Sequence, residues 1–303
     1  MIRILQRRQI DDNKWNQVIS EARHECIYPY SWYMDLCADN WCALVKDDYT
    51  WVMPVAFRYR IRVKYFYQPI YCQQYGIYSS REITPEITRE FLRALHLHFK
   101  LGDYAFNAGN IVGEQDGYYV ADNSNYILNL DKTYDYLYSN FTENCWRNCR
   151  KAYKSGLEFI DTVSVEEVIK LKMAGNPKGL GPDFAGFALR LFTTLQEKKR
   201  VKVYGSTLRG ELVAAAVFVF SEKRIHYLLS ASSDAGKDMR AMFMVVDRVI
   251  REYAGSGRIL DFEGSNITSI ARFFRGFGAK PEIYQRVSFQ NFASKLIKRL
   301  RNV

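Results

Sequence analysis

The chain has 303 residues, 48% hydrophobic and 25% charged, with a formal net charge of +10. A length about twice that of a typical domain predicts two domains, and the composition excludes bulk disorder. No window approaches the ~18 uninterrupted apolar residues of a membrane-spanning helix, and the opening MIRILQRRQIDDNKW turns charged within a few residues, which predicts a cytoplasmic protein without a secretion signal.

In chain order, residues 12–22 carry Trp15, Val18 and Ile19 at helical spacing. Residues 41–45, 51–58 and 65–77 are rich in Val, Ile, Tyr and Trp and predict strands, with turns at Asp47-Asp48 and at 60–64. Thr84 as N-cap and Pro85 at the first position open a helix whose stripe is Ile87, Phe91, Leu95 and Phe99. Gly102 closes it, and a short strand over 104–106 follows.

The second half repeats this order. Strands are predicted over 201–207, 212–220 and 224–231, then a helix over 238–254 with Met242, Val245, Val246, Val249 and Ile250 apolar. Gly255-Ser256-Gly257 ends that helix, and a strand over 259–262 leads into Glu263-Gly264-Ser265-Asn266. The recurrence predicts an α+β fold of two tandem units, each a mixed, mostly antiparallel sheet flanked by helices, over residues 1–140 and 141–303.

The halves differ in charge: −2 over residues 1–140 and +12 over 141–303. A positive second half attracts phosphates, RNA or anionic lipid. Seventeen of the 22 tyrosines lie in residues 1–140, which suits half-buried strands better than a recognition surface. The six cysteines are irregularly spaced without a CxxC pair, so buried free thiols are expected rather than zinc or disulfides. His96 and His98 fall two apart in a helical pattern, a spacing that does not point both rings the same way, and no metal site is expected.

A helix over 143–155 joins the two units. Cys145, Cys149, Ala152 and Tyr153 share its apolar face, while Arg147, Arg150, Lys151 and Lys154 give a basic edge suited to phosphate or to solvent. The run Arg147-Asn148-x-Arg150-Lys151-Ala152-x-Lys154-x-Gly156 resembles the linker helix of Fem-type aminoacyltransferases. Asp261-Phe262-Glu263-Gly264-Ser265, followed by Arg272-Phe273-Phe274-Arg275-Gly276-Phe277-Gly278-Ala279, resembles the C-terminal end of that family and of its relatives among GNAT-type N-acyltransferases.

The resemblance implies tandem GNAT-like units. It also implies transfer of an acyl or aminoacyl group onto an amine acceptor, such as a cell-wall precursor peptide, with acyl-CoA or charged transfer RNA as donor substrate and no tightly bound cofactor. Where GNAT proteins carry a glycine-rich pyrophosphate loop, this chain has Ser232-Ser233-Asp234-Ala235-Gly236-Lys237-Asp238-Met239, with a single glycine. No coiled-coil arm interrupts residues 160–202. A catalytically inactive GNAT-like protein that binds peptide, sugar precursor or RNA is the alternative. The oligomeric state stays open.

N-acyl transfer needs a proton acceptor for the amine, donors for the oxyanion and a clamp for charged substrate. Glu263, after a buried strand and before a glycine, is the expected base, with Asp261 two residues away on the same strand face. Tyr227 is the expected proton donor to the leaving group. Ser265 and Asn266 are expected to cap a helix starting near Thr268 and to offer that helix start to substrate. Arg272 and Arg275, three apart, form the expected clamp, with Arg147 and Lys151 as further substrate contacts. In Fem-type relatives a lysine commonly stands at the position of Arg275. At the C-terminus, Phe289, Phe292, Leu296 and Leu300 form a stripe ringed by Lys295, Lys298, Arg299 and Arg301. This stripe suits packing onto the body or peripheral contact with an anionic membrane at its inner face.

Overall fold

The computed structural model describes residues 1–113, 118–175, 181, 183–264 and 266–289. The chain groups into two compact units, Met1–Ser124 with the segment from Glu282 onward, and Asn125–Pro281.

In the first unit, β1 (Ile2–Gln6), β2 (Trp41–Lys46), β3 (Trp51–Arg60) and β4 (Val63–Phe66) run antiparallel in that order. Helices α1 (Asp12–Glu21) and α2 (Ser31–Cys37) lie between β1 and β2 in sequence. Helix α3 (Pro85–His98) follows β4, with Thr84 accepting the Ile87 amide as its N-cap. The next strand, β5 (Gly102–Ala105), then returns parallel to β4. Only Val63–Phe66 of the region around the expected 65–77 strand is a ladder. Pro69 has no amide to donate and Tyr71 takes φ +59°, so the chain leaves the sheet before touching it again through Tyr75 and Tyr78.

β6 (Tyr118–Asn129) runs across the boundary between the units in sequence. The second unit then contains α4 (Tyr134–Ser139), α5 (Glu143–Lys154), β7 (Leu157–Ile160), α6 (Val165–Gly175) and α7 (Phe184–Glu197). After these come β8 (Val201–Leu208), β9 (Glu211–Phe220), β10 (Arg224–Ser232), α8 (Asp234–Asp238), α9 (Ala241–Tyr253), β11 (Ile259–Asp261) and α10 (Thr268–Gly276). Strands β7 to β10 are antiparallel, and β11 returns parallel to β10. Each unit thus has four antiparallel strands, then helix α3 in the first unit or α8 and α9 in the second, and a parallel return.

Each sheet is closed by a strand distant in sequence. In the second unit, Ile127–Asn129 of β6 pair antiparallel with β11, Asn129 opposite Ile259. In the first, β12 (Lys280–Phe289) pairs with β5, Arg286 opposite Ala105. These two pairings put the boundary at 124/125 rather than 140/141 and return the last described strand to the first unit.

Helix α9 buries Met244, Val245, Val246, Val249 and Ile250 against β8 and β9, burial worth about 1.5–3 kcal/mol for each large side chain. Helix α5 buries Cys145, Cys149 and Ala152, and all six cysteines are buried thiols outside any disulfide. Among the described residues, no helix is long and apolar enough to cross a membrane.

Candidate active site

The second unit's two parallel strands part company. Among the described residues, β10 pairs with β11 over Arg224, Ile225 and His226 and no further, although β10 continues to Ser232. On its other edge, β10 slips register against β9 between Tyr227 and Leu229, a bulge that bends the strand. A cavity of about 480 Å³ lies along the freed stretch, lined by Tyr227, Ser230, Ala231 and Ser232 of β10. Lys172 of α6, Lys237 and Arg240 form its cationic wall, and Met242, Phe243, Ile270, Phe273 and Phe274 its apolar one.

Tyr227 is buried among the rings of Phe218, Phe262 and Phe274, with centroids 5.4, 6.1 and 6.2 Å away. Burial pushes its phenol well above the ordinary tyrosine value, and a hydrogen bond with Ser230 offsets only part of this. The group is therefore a protonated phenol at neutral pH, able to donate. Burial lowers the Lys172 ammonium below the ordinary lysine value. Its Nζ donates to the Ser230 carbonyl at 3.2 Å.

The segment that would form a phosphate loop is instead helix α8. Ser233 caps it by accepting the Gly236 amide at 3.1 Å. Gly236 is pressed onto β9, where a Cβ would stand 2.1 Å from the Val213 carbonyl oxygen. The single glycine therefore serves close packing and does not open backbone amides to a ligand. The helix expected over 238–254 is α9, which starts at Ala241 and is set off from α8 by Arg240 at φ +62°.

A second group of side chains sits at the fork itself. Asp261, buried opposite His226, accepts from Arg224 Nη1 at 2.7 Å, from Asn125 Nδ2 at 3.0 Å and from the Glu263 amide at 3.0 Å. Burial alone would raise the Asp261 carboxyl, but the charges of Arg224 and His226 and the Glu263 amide hold it below the ordinary aspartate value. His226, fully buried, places Nδ1 at 2.7 Å from Glu263 Oε1 and 4.0 Å from Asp261 Oδ2. Burial opposes its protonation, yet the Glu263 bond and the two carboxylate charges outweigh this and raise its pKa. Glu263 takes φ +61° and Gly264 φ +50°, the tight corner through which the chain leaves β11. Donor atoms of His226, Asp261 and Glu263 all lie within 4.8 Å of one another, a spacing that could meet a cation. Arg224 pairs with Asp261 and His226 with Glu263, so the four side chains form one linked network.

The expected site residues are therefore sorted into groups. Asp261 and Glu263 stand together, but the arginine holding a carboxylate is Arg224, and Glu263 is paired with His226. Tyr227 lies in the cavity wall. Arg272 and Arg275 are exposed on α10, and Arg275 Nε points back to the Ala271 carbonyl at 3.4 Å. Helix α10 starts at Thr268 as expected, but its N-cap is Ile267, whose side chain supplies no cap, with the exposed Asn266 just before it. Arg147 and Lys151 are exposed on α5. Ser265 and the C-terminal stripe beyond Phe289 lie outside the described residues.

Sequence reasoning missed Arg224, His226, Asn125 and Lys172. For the first two a signal existed: Arg224-x-His226 puts two polar side chains on one face of an otherwise apolar strand.

Comparison with known proteins agrees with this architecture. Residues 139–267 match the acetyltransferase (GNAT) domain family. Over the whole chain the fold is similar to that of FemX, at 12% identity and TM-score 0.66, covering 96% of this chain and 98% of that one. A tandem GNAT protein from the clavulanic acid biosynthesis pathway aligns at 9% identity and TM-score 0.56, covering 96% and 99%. L-PGS from Bacillus licheniformis aligns at 13% identity and TM-score 0.54, covering 96% of each chain. No curated protein matches the sequence. The fold of this chain is thus that of these tandem GNAT-like and Fem-type structures, with a GNAT domain match in its second half.

Proposed function

We propose that the chain transfers an acyl or aminoacyl group to an amine, with the donor's reactive end in the cavity beside β10. The observation that carries this reading is the fork between β10 and β11. There a cationic and apolar cavity meets a protonated phenol, Tyr227, one residue past the last strand pair.

In the reaction the acceptor nitrogen attacks the donor carbonyl carbon, the new C–N bond forms, and the bond to the thiol or ribose oxygen breaks. Glu263, held by His226 two residues past the last β11 pair, takes the amine proton. Tyr227 gives its proton to the departing atom. Lys172, Lys237 and Arg240 meet the donor's negative charge, and Arg275 and Arg272 contact acceptor carboxylate or phosphate. The closed helix α8 favours aminoacyl-tRNA over acyl-CoA, because α8 itself is packed on β9 and offers no amide cradle to a pyrophosphate, while the cavity's cations are side chains. The basic edge of α5, Arg147 and Lys151 included, suits an RNA backbone. A cell-wall precursor peptide is an acceptor of the required chemistry, an exposed amine beside carboxylates.

The test is an amide-forming assay with a panel of acyl-CoA and aminoacyl-tRNA donors, run on wild type and Tyr227→Phe. Turnover with at least one donor, lost in the variant, supports the reading. Absence of turnover with every donor, together with tight binding of peptide or RNA, supports the inactive binding protein instead.

A further inference from the structure

The β3–β4 hairpin of the first unit ends in a two-residue turn, Ile61-Arg62, between Arg60 and Val63. Ile61 takes φ +48° and Arg62 φ +64°, both left-handed, as a type I′ turn demands. Asn-Gly meets that demand at little cost, whereas a β-branched isoleucine in this region is a steric outlier. Nothing in the fold repays the strain by burying the side chain, because Ile61 is 90% exposed.

Its neighbours share the exposure. Tyr59 is 64% and Val63 51% exposed, so an aromatic and two branched aliphatic side chains crowd the apex. Between them stand Arg60 and Arg62, both exposed, and neither has an acidic partner among the described residues. At the hairpin base the cations are engaged, Arg58 with Asp39 and over the Tyr67 ring, Lys64 over the rings of Phe57 and Phe99. The base is thus fixed on the unit, and the apex presents apolar tips ringed by unpaired guanidinium groups.

We infer that this apex is a docking point for an anionic lipid bilayer, with Ile61 and Val63 entering the acyl boundary, Tyr59 at the headgroup level, and Arg60 and Arg62 on lipid phosphates. Tyrosine is favoured at that depth, and basic residues beside an anionic surface add attraction that falls off within a Debye length. RNA fits less well, because Ile61 and Val63 have no flat face on which a base could stack. Strain held at an exposed apolar residue is the mark of a position kept for contact rather than for folding. This inference stands apart from the acyl-transfer reading.

The test uses the full chain and its Ile61→Asn, Arg62→Gly double variant in co-sedimentation with phosphatidylglycerol–phosphatidylcholine vesicles and with pure phosphatidylcholine vesicles. Asn-Gly is the preferred I′ pair, so the variant is expected to melt at or above the wild-type temperature, and a loss of binding cannot come from misfolding. Expected is a partition onto anionic vesicles that exceeds that onto neutral ones, weakens with salt, and drops about tenfold or more in the variant. Equal partition of wild type and variant overturns the proposal, even if the chain binds vesicles, because another surface then does the binding. Absence of vesicle binding with retention of single-stranded RNA through the same hairpin also overturns it.

Discussion

His226 Nδ1 and Glu263 Oε1 stand 2.7 Å apart where β10 and β11 separate, and Glu263 occupies a left-handed backbone position at φ +61°. The carboxylate is therefore fixed from two directions, by its own corner and by a buried ring on the neighbouring strand. Asp261 locks the corner further by accepting the Glu263 amide while Arg224 neutralises it. The fork is an electrostatic joint whose strength depends on protonation.

That dependence has a definite sign. The folded His226 pKa is raised above its ordinary value of 6.5, so its contribution to stability is fully present below about pH 6.5 and is lost as pH rises through the folded value. Asp261 is lowered below 3.8, so its contribution is present above that pH and is lost as the solution is acidified through its folded value. Urea denaturation from pH 4 to 9 is expected to give a stability that declines on the alkaline side. The variant His226→Gln removes that slope; an unchanged slope would show that the joint is not its source.

Asp261→Asn should be among the most damaging single changes. It leaves the Arg224 guanidinium buried without its counter-charge, a situation that costs about 3–5 kcal/mol. The expected result is a marked fall in the denaturant midpoint. A loss under about 1 kcal/mol would mean that water or another group takes over the pairing.

Gly236→Ala tests whether α8 is seated as described. The new methyl would meet the Val213 carbonyl oxygen at 2.1 Å, so α8 must lift from β9, at about 1–3 kcal/mol. Because α8 carries Lys237 into the cavity wall, donor affinity should weaken together with the melting temperature.

Tyr227→Phe keeps the ring among Phe218, Phe262 and Phe274 and removes only the hydroxyl. Stability should change little while the transfer rate falls about 10²–10⁴-fold, the usual span for loss of a general acid. A donor with a better leaving group should recover part of the rate. Equal loss with all donors would assign the hydroxyl to binding.

Much of this fold could be read from local pattern. The stripe Val245, Val246, Val249 and Ile250 and the apolar runs of β8 to β10 have the periods of helix and strand, and the Thr84–Pro85 start of α3 is a local signal. Closure of the sheets was not legible, because Asn129 opposite Ile259 and Arg286 opposite Ala105 join residues more than a hundred positions apart. The same limit applies to the site. Asp261 and Glu263 stood out beside a glycine, but their partners Arg224 and His226 come from another strand through register alone. Lys172 became a candidate only once folding had brought it half-buried into the cavity wall, which no spacing encodes.

The most direct test of the account is a calorimetric titration of the donor active in the transfer assay into wild type and Ala231→Trp, whose indole would occupy the space beside β10 where Ala231 lines the cavity. Saturable binding to wild type is expected, weakened about a hundredfold or more in the variant, at an unchanged far-ultraviolet spectrum. Equal affinity in the two proteins would contradict it, since the donor would then sit elsewhere.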